Sequence, residues 1–343
     1  MTDHGLIDYE LPKDRIAQSP AEPRDAARLL VLERATGRME HAEVRDLPRW
    51  LESGDLLVRN TTRVLPARLR GRKATGGAAE ALLLGPAEEP GALRALVRVG
   101  GRLRSGLKLR FAGGGLSLDA EVTHVEEDGT VSLVFIGETD PYALGETPLP
   151  PYIRRESADV EDAERYQTVY AREPGSVAAP TAGLHFTQGL LRRIRARGVT
   201  TADVLLHVGL GTFRPLREED LARGRLHEEW CELTPESAAA VAATRAAGGR
   251  VISVGTTTTR VLESRTGADG VPRPGAGKTD LLLGPGSEFR AIDALLTNFH
   301  LPRSSLLQLV AGFAGRERIL AAYAEAVSRG YRFYSYGDAM LIL

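Results

Sequence analysis

Cysteine is nearly absent. Cys231 stands alone in 343 residues, which excludes an internal disulfide and a cysteine-built zinc site. No histidine pair has zinc-protease spacing, and no Walker loop, nucleophile elbow or kinase signature is present. Long hydrophobic runs are also missing. None approaches the roughly 18 apolar residues of a membrane span, and the first residues, MTDHGLIDYELPKD, lack the apolar heart of a signal peptide. These absences predict a cytoplasmic protein. A length of 343 residues allows a large core and predicts two domains, or one large domain with an insertion.

Charge is present in near balance, with a net of −1, but it is unevenly placed. From Arg63 to Arg110 eleven Lys and Arg face three Glu, a net of +8, whereas Phe111 to Glu146 holds eight Asp and Glu and no Lys or Arg. Two readings follow: a phosphate-facing basic stripe, or the more ordinary pairing of opposite charges between adjacent strands. The same region reads as six short strands with Gly-rich or acidic turns and no helix-period segment, the pattern of a small antiparallel barrel. GETPLPPYIR, from Gly145 to Arg154, reads as a proline-stiffened return.

Elsewhere the texture is α/β. RLLVLE (28–33) and DLLVRN (55–60) read as strands, and Gln188 to Arg197 as a helix closed by Gly198. Thr234-Pro235-Glu236 starts a second helix that hands over to the strand RVISVG, and another helix opens after Gly255. DLLLG (280–284) and DALLTNF (293–299) read as further strands, with two helices between residues 304 and 329. The prediction is an α/β catalytic domain of residues 1–64 and 150–343 carrying an inserted small antiparallel β-barrel domain, residues 65–149.

The candidate site centres on GSVAAPTAGLHFT (175–187), whose glycines, proline and small residues suit a pocket wall, with Thr181 and Gly183 beside His185. His207, His227 and His300 sit in similar strand-end settings and suggest one shared cleft of acid and base groups, because histidine titrates near working pH. Asp338 and Glu229 are the candidate carboxylate orienters. VGTTTTR (254–260) places Gly255, Thr256 and Thr257 where a strand feeds a helix, a place for a carboxylate or phosphate on free amides. An ordinary Thr-rich cap would look the same. Gly209 and Gly211 follow His207 as GxG, but no third glycine completes a dinucleotide motif, which leaves backbone approach to a nucleoside. Arg165 and Tyr166 could stack on a flipped base or cover a core edge.

LPPYI (149–153), RYQTVYA (165–171), GSVAAPTAGLHFT, LHVGLGTF (206–213), VGTTTTR followed by LES, TNFHLP (297–302) and YRFYSYGDAMLI (331–342) together resemble the S-adenosylmethionine:tRNA ribosyltransferase-isomerase family of queuosine biosynthesis, in its order and over nearly the whole chain. The resemblance implies an α/β domain with an inserted barrel. It also implies transfer and isomerisation of the ribosyl group of S-adenosylmethionine onto 7-aminomethyl-7-deazaguanine (preQ1) in a tRNA anticodon, releasing adenine and methionine and leaving epoxyqueuosine. No metal or second cofactor is implied. The methionine carboxylate is expected at the helix opened by Gly255 to Thr258, and tRNA on Arg63, Arg68, Arg70 and Arg72, with Arg98, Arg102 and Arg104 adding phosphate contacts and Lys73 pointing away. The chain departs from the family pattern at Thr61, where Asp is usual, at Gly224, where His is usual, and at Gln308, where Met is usual. Two alternatives stay open at this point: a paralogue acting on a free 7-deazapurine or small amine, and a tRNA- or nucleoside-binding protein without catalysis.

Overall fold

The computed structural model describes residues 5–155, 161–209, 216 and 218–343. The chain opens with β1 (Arg28–Leu32), β2 (Met39–Glu43), β3 (Leu56–Asn60) and β4 (Thr62–Val64). It then runs through β5 (Arg68–Lys73), β6 (Ala78–Pro86), β7 (Ala92–Val99), β8 (Lys108–Gly113), β9 (Leu116–Val125) and β10 (Val131–Ile136) without an intervening α-helix. These six strands close into a barrel in the order β10-β7-β6-β5-β8-β9. A barrel this small is filled by side chains rather than hollow: alternate residues such as Leu69, Ala81, Phe111, Val122 and Leu133 are buried inside. Its outward charges pair as the more ordinary reading expects, Arg68 with Glu80 at 2.6 Å, Arg110 with Asp119 at 2.7 Å and Arg94 with Asp128 at 2.6 Å. The chain leaves and returns across one tight crossing, where a β-carbon on Gly145 would lie 1.6 Å from the Pro66 carbonyl oxygen, so only glycine fits.

After the barrel come α1 (Asp162–Arg165), β11 (Glu173–Ser176), α2 (Gln188–Ala196), β12 (Thr200–Leu206), α3 (Glu218–Arg223), β13 (Arg225–Leu233) and α4 (Pro235–Ala246). The chain ends with β14 (Val251–Val254), α5 (Thr256–Arg265), β15 (Gly275–Leu281), β16 (Ala294–Asn298), α6 (Ser305–Ala314), α7 (Arg316–Ser328) and β17 (Ala339–Ile342). The starts of α2 and α4 follow their capping residues. The Thr187 hydroxyl accepts from the Leu190 amide at 3.0 Å to cap α2, and Thr234 caps α4 with Pro235 as its first residue.

Nine strands form the main sheet in the order β15-β13-β12-β3-β14-β16-β17-β1-β2. Its centre, β12-β3-β14-β16, is parallel, and both of its faces carry buried apolar residues, Leu56, Val251 and Leu295 on one side and Leu57, Ile252 and Leu296 on the other, packed in two separate hydrophobic clusters. Parallel strands put their carboxyl ends on one edge, and that edge is where open α/β sheets hold ligands. One expectation is corrected: the strand expected at DLLLG lies earlier, Gly275–Leu281, paired with β13. After the C-terminal aromatics, Ala339–Ile342 forms the last strand. The preceding YRFYSYG turns, with Tyr334 at φ 75°.

Candidate active site

The carboxyl ends of β12, β3, β14 and β16 open into a cleft whose space, counted out into the open solvent at its mouth, is about 690 Å³. One wall is the small-residue stretch: Ala178, Ala179, Pro180, Thr181 and Ala182 line it, the last two within a short 3-10 turn over Thr181–His185. Bulky side chains there would close the cleft, which is the physical reason for the composition. The opposite wall is the start of α5, Gly255, Thr256 and Thr257, and the floor is the end of β16, Thr297, Asn298 and His300. Gly255, at φ 88°, lets β14 turn directly into the helix. No side chain caps that helix. The Thr258 and Thr259 hydroxyls fold back onto the Val254 and Gly255 carbonyls, leaving the first amides toward the cleft.

The four histidines are not brought into one cleft. His300 lines it, 4% exposed, with Nε2 sharing a 2.8 Å hydrogen bond with the Thr297 hydroxyl; burial lowers its pKa to about 3. His185 lies one side chain behind. Its Nε2 is 3.1 Å from Asn298 Nδ2, and burial lowers its pKa to about 4 against a raising influence from Asp338. Both imidazoles are therefore neutral near pH 7. His207 sits elsewhere, bonded through Nδ1 to the Thr62 hydroxyl at 2.9 Å and stacked on Trp230 with centroids 5.3 Å apart; burial lowers its pKa, opposed by Glu173. Gly175 packs on that ring, a β-carbon there meeting Cε1 at 2.5 Å. His227 is exposed on β13.

The two candidate orienters face other partners. Asp338 is 1% exposed, and both of its oxygens are taken: Oδ1 accepts from the Arg28 amide at 3.0 Å, and Oδ2 from Arg28 Nε at 3.2 Å and the Arg332 amide at 2.8 Å. Glu229 pairs with Arg260 through Oε2 and accepts from the Gly209 amide through Oε1 at 2.9 Å. Gly183 points away from the cleft, its missing β-carbon replaced by the Tyr170 hydroxyl and Thr168. Tyr166 is buried and lines the cleft, whereas Arg165 pairs with Glu161 at 2.6 Å. Gly211 lies outside the described residues. On the barrel, Arg68 pairs with Glu80 and Arg70 with Glu146, while Arg63, Arg72, Arg98, Arg102 and Arg104 are exposed and form no ion pair among the described residues. Lys73 sits at the rim, donating to the Gly100 carbonyl at 2.6 Å.

Three residues that sequence reasoning did not single out complete the site. Asn298 Nδ2 is turned toward the Tyr334 carbonyl, 3.1 Å, and toward His185, which leaves Oδ1 buried without a partner in the cleft floor. Tyr334 holds that carbonyl from a left-handed backbone conformation that costs a bulky residue on the order of 1–3 kcal/mol, strain of the kind that collects at functional sites. Arg260, 5% exposed, also lines the cleft. All three lie inside stretches already notable for composition, but their roles depend on contacts between distant segments. Among the described residues no cluster of three or more His, Cys, Asp or Glu is placed to hold a metal ion, and no helix is long and apolar enough to cross a membrane.

A family model described as queuosine biosynthesis protein matches residues 5–342. The chain belongs to the queuosine biosynthesis protein family. Within that family it is 53% identical over 342 residues to the S-adenosylmethionine:tRNA ribosyltransferase-isomerase of Moorella thermoacetica, covering 98% of each chain. It is 54% identical over 346 residues to the protein of the same name from Anaeromyxobacter dehalogenans strain 2CP-C, again covering 98% of each. Among solved structures it resembles the S-adenosylmethionine tRNA ribosyltransferase of Thermotoga maritima, at 41% identity and a TM-score of 0.57 over 98% of this chain and 99% of that one. The cleft of this family member thus occupies the carboxyl edge of its parallel strands. The positions that depart from the sequence pattern lie apart from the cleft lining: Thr61 is buried with its amide on the Val204 carbonyl, Gly224 is exposed at φ 64°, and Gln308 donates to the Gly5 carbonyl at 3.2 Å.

Proposed function

We propose that this chain is an S-adenosylmethionine:tRNA ribosyltransferase-isomerase that moves and isomerises the ribosyl group of S-adenosylmethionine onto preQ1 in a tRNA anticodon, giving epoxyqueuosine, adenine and methionine. The observation that carries the reading is the cleft at the carboxyl edge, floored by a buried neutral imidazole and by a buried amide oxygen without a partner. The names of full-length relatives at 53–54% identity support it. The cleft residues fit a nucleoside: Asn298 Oδ1 is an unused acceptor for an amine N–H, and the α5 amides are unused donors for an anion.

When bound, S-adenosylmethionine supplies a sulfonium that acidifies the neighbouring C5′ protons. On this reading His300, the imidazole in the cleft floor, receives one. Its low pKa comes from burial, and negative charge developing on the adjacent carbon raises it as the proton moves. Tyr334, pushed up to about 12 by burial, stays a phenol and can donate toward the departing base. His185 fixes the Asn298 amide and so acts through it. On the same reading residues 65–149 form an inserted unit that meets tRNA through its unpaired arginines, and the enzyme works in the cytoplasm.

Purified protein mixed with S-adenosylmethionine and preQ1-containing tRNA should release adenine and methionine. Release only with a free 7-deazapurine or small amine would move the reading to a small-molecule acceptor. Binding of tRNA without release in any mixture would overturn the enzyme reading.

A further inference from the structure

Among the described residues, Arg260 is a buried charge that the chemistry above does not use. On α5 its side chain leans back toward the helix start, as helical side chains do, and it is 5% exposed in the cleft wall. Nε donates to the Leu281 carbonyl at 3.1 Å, and Nη1 pairs with Glu229. Nη2 has no hydrogen-bond partner among the described residues. Glu229 does not supply one: its Oε2 meets Nη1, and its Oε1 takes the Gly209 amide at 2.9 Å. A buried guanidinium N–H left bare is costly enough that a ligand should satisfy it. The same cleft wall carries the uncapped first turn of α5 and the Thr257 hydroxyl.

Resting on the proposed function, we propose that Arg260 Nη2, with the first amides of α5 and the Thr257 hydroxyl, forms a carboxylate subsite that reads the amino-acid end of S-adenosylmethionine, and that Glu229 serves to hold the guanidinium rather than to move protons. The electrostatics favour a singly charged anion. Arg260 and Glu229 cancel formally, so the remaining attraction is the free N–H and the half-charge of the helix end. A tRNA phosphate offers similar oxygens, and the experiment separates the two.

Calorimetry on the wild-type chain without tRNA compares S-adenosylmethionine with its decarboxylated analogue, which needs no variant and hence no assumption about folding. The analogue should bind at least about tenfold more weakly, the scale of one charge-assisted hydrogen bond. Arg260→Lys should lose most of that ratio. The double variant Arg260→Met with Glu229→Gln, which removes both buried charges together and so avoids stranding one, should lower the ratio by the same severalfold, leaving only the part that the α5 amides and Thr257 supply. Equal binding of the two ligands by wild-type protein overturns the inference while leaving the proposed function standing; binding of neither, without tRNA and again with tRNA lacking preQ1, defeats both. An unchanged ratio in the Arg260 variants, accompanied by weaker tRNA binding and a shallower salt dependence, would assign Nη2 to a phosphate and also overturn it.

Discussion

His185 and His300 are buried neutral in the folded protein and titrate at about 4 and about 3, against an ordinary value of 6.5 that the unfolded chain regains. The unfolded state therefore binds protons first as pH falls, so the stability these groups allow is fully present above pH 6.5 and drains away between 6.5 and their folded values. At pH 5 an unfolded histidine gains about 2 kcal/mol from protonation, and the folded ones gain almost nothing, so the pair should remove about 4 kcal/mol of stability relative to neutral pH. That is a large part of a typical margin of 5–15 kcal/mol. The perturbation is His185→Gln with His300→Gln, which keeps a polar group near Asn298 and Thr297 and removes both titrations. Urea unfolding at pH 7.5 and pH 5 measures the loss. The wild-type protein should lose about 4 kcal/mol more than the double variant, with each single variant midway, since other titrating groups contribute equally to all. If wild type and double variant lose the same amount, the two imidazoles are not buried neutral and the cleft floor is wrongly described.

His300→Gln alone should fold normally and lower turnover by about a hundredfold, the usual scale of lost acid–base help, in an adenine-release assay; normal turnover would remove His300 from the chemistry. Gly183→Ala should destabilise by about 1–3 kcal/mol, because its β-carbon would fall 2.2 Å from the Tyr170 hydroxyl, and adding Tyr170→Phe should restore part of the melting temperature. Replacing Arg72, Arg98, Arg102 and Arg104 by Ala should weaken tRNA binding similarly for all tRNA sequences and reduce the salt slope by about 0.9 for each phosphate no longer neutralised. Arg68→Ala and Arg70→Ala should change the slope less, since Glu80 and Glu146 already occupy those side chains.

The barrel is legible in the sequence because its six strands are short, alternating and separated by turn residues, and local pattern suffices for antiparallel neighbours. The start of α4 is legible from its Thr234 cap, and the end of α2 from Gly198. β13 is not, because LHEEW puts three polar residues in succession and a register shift between Arg225 and Glu229 breaks the alternation. The position of β15 is obscured because the apolar run DLLLG looks like strand, while the pairing that defines the strand runs through GAGKTDL on its polar side. At the site, composition points to the small-residue wall and to the end of β14. It cannot reveal that Asn298 has an amide oxygen to spare, since that follows from Tyr334, 36 residues on, and from His185, 113 residues back. Nor can it separate His227 from His300, both strand-end histidines, when burial alone distinguishes them.

On the proposed function, the reaction takes place at the carboxyl edge of β12, β3, β14 and β16. A crystal structure of this chain with S-adenosylmethionine or a non-reactive amine analogue tests it most directly. The nucleoside should lie between Ala178–Ala182 and the start of α5, with its ribose within reach of His300 and its base near Asn298 Oδ1. A ligand bound on the barrel, or against His207 and Trp230 rather than in the cleft, would contradict it.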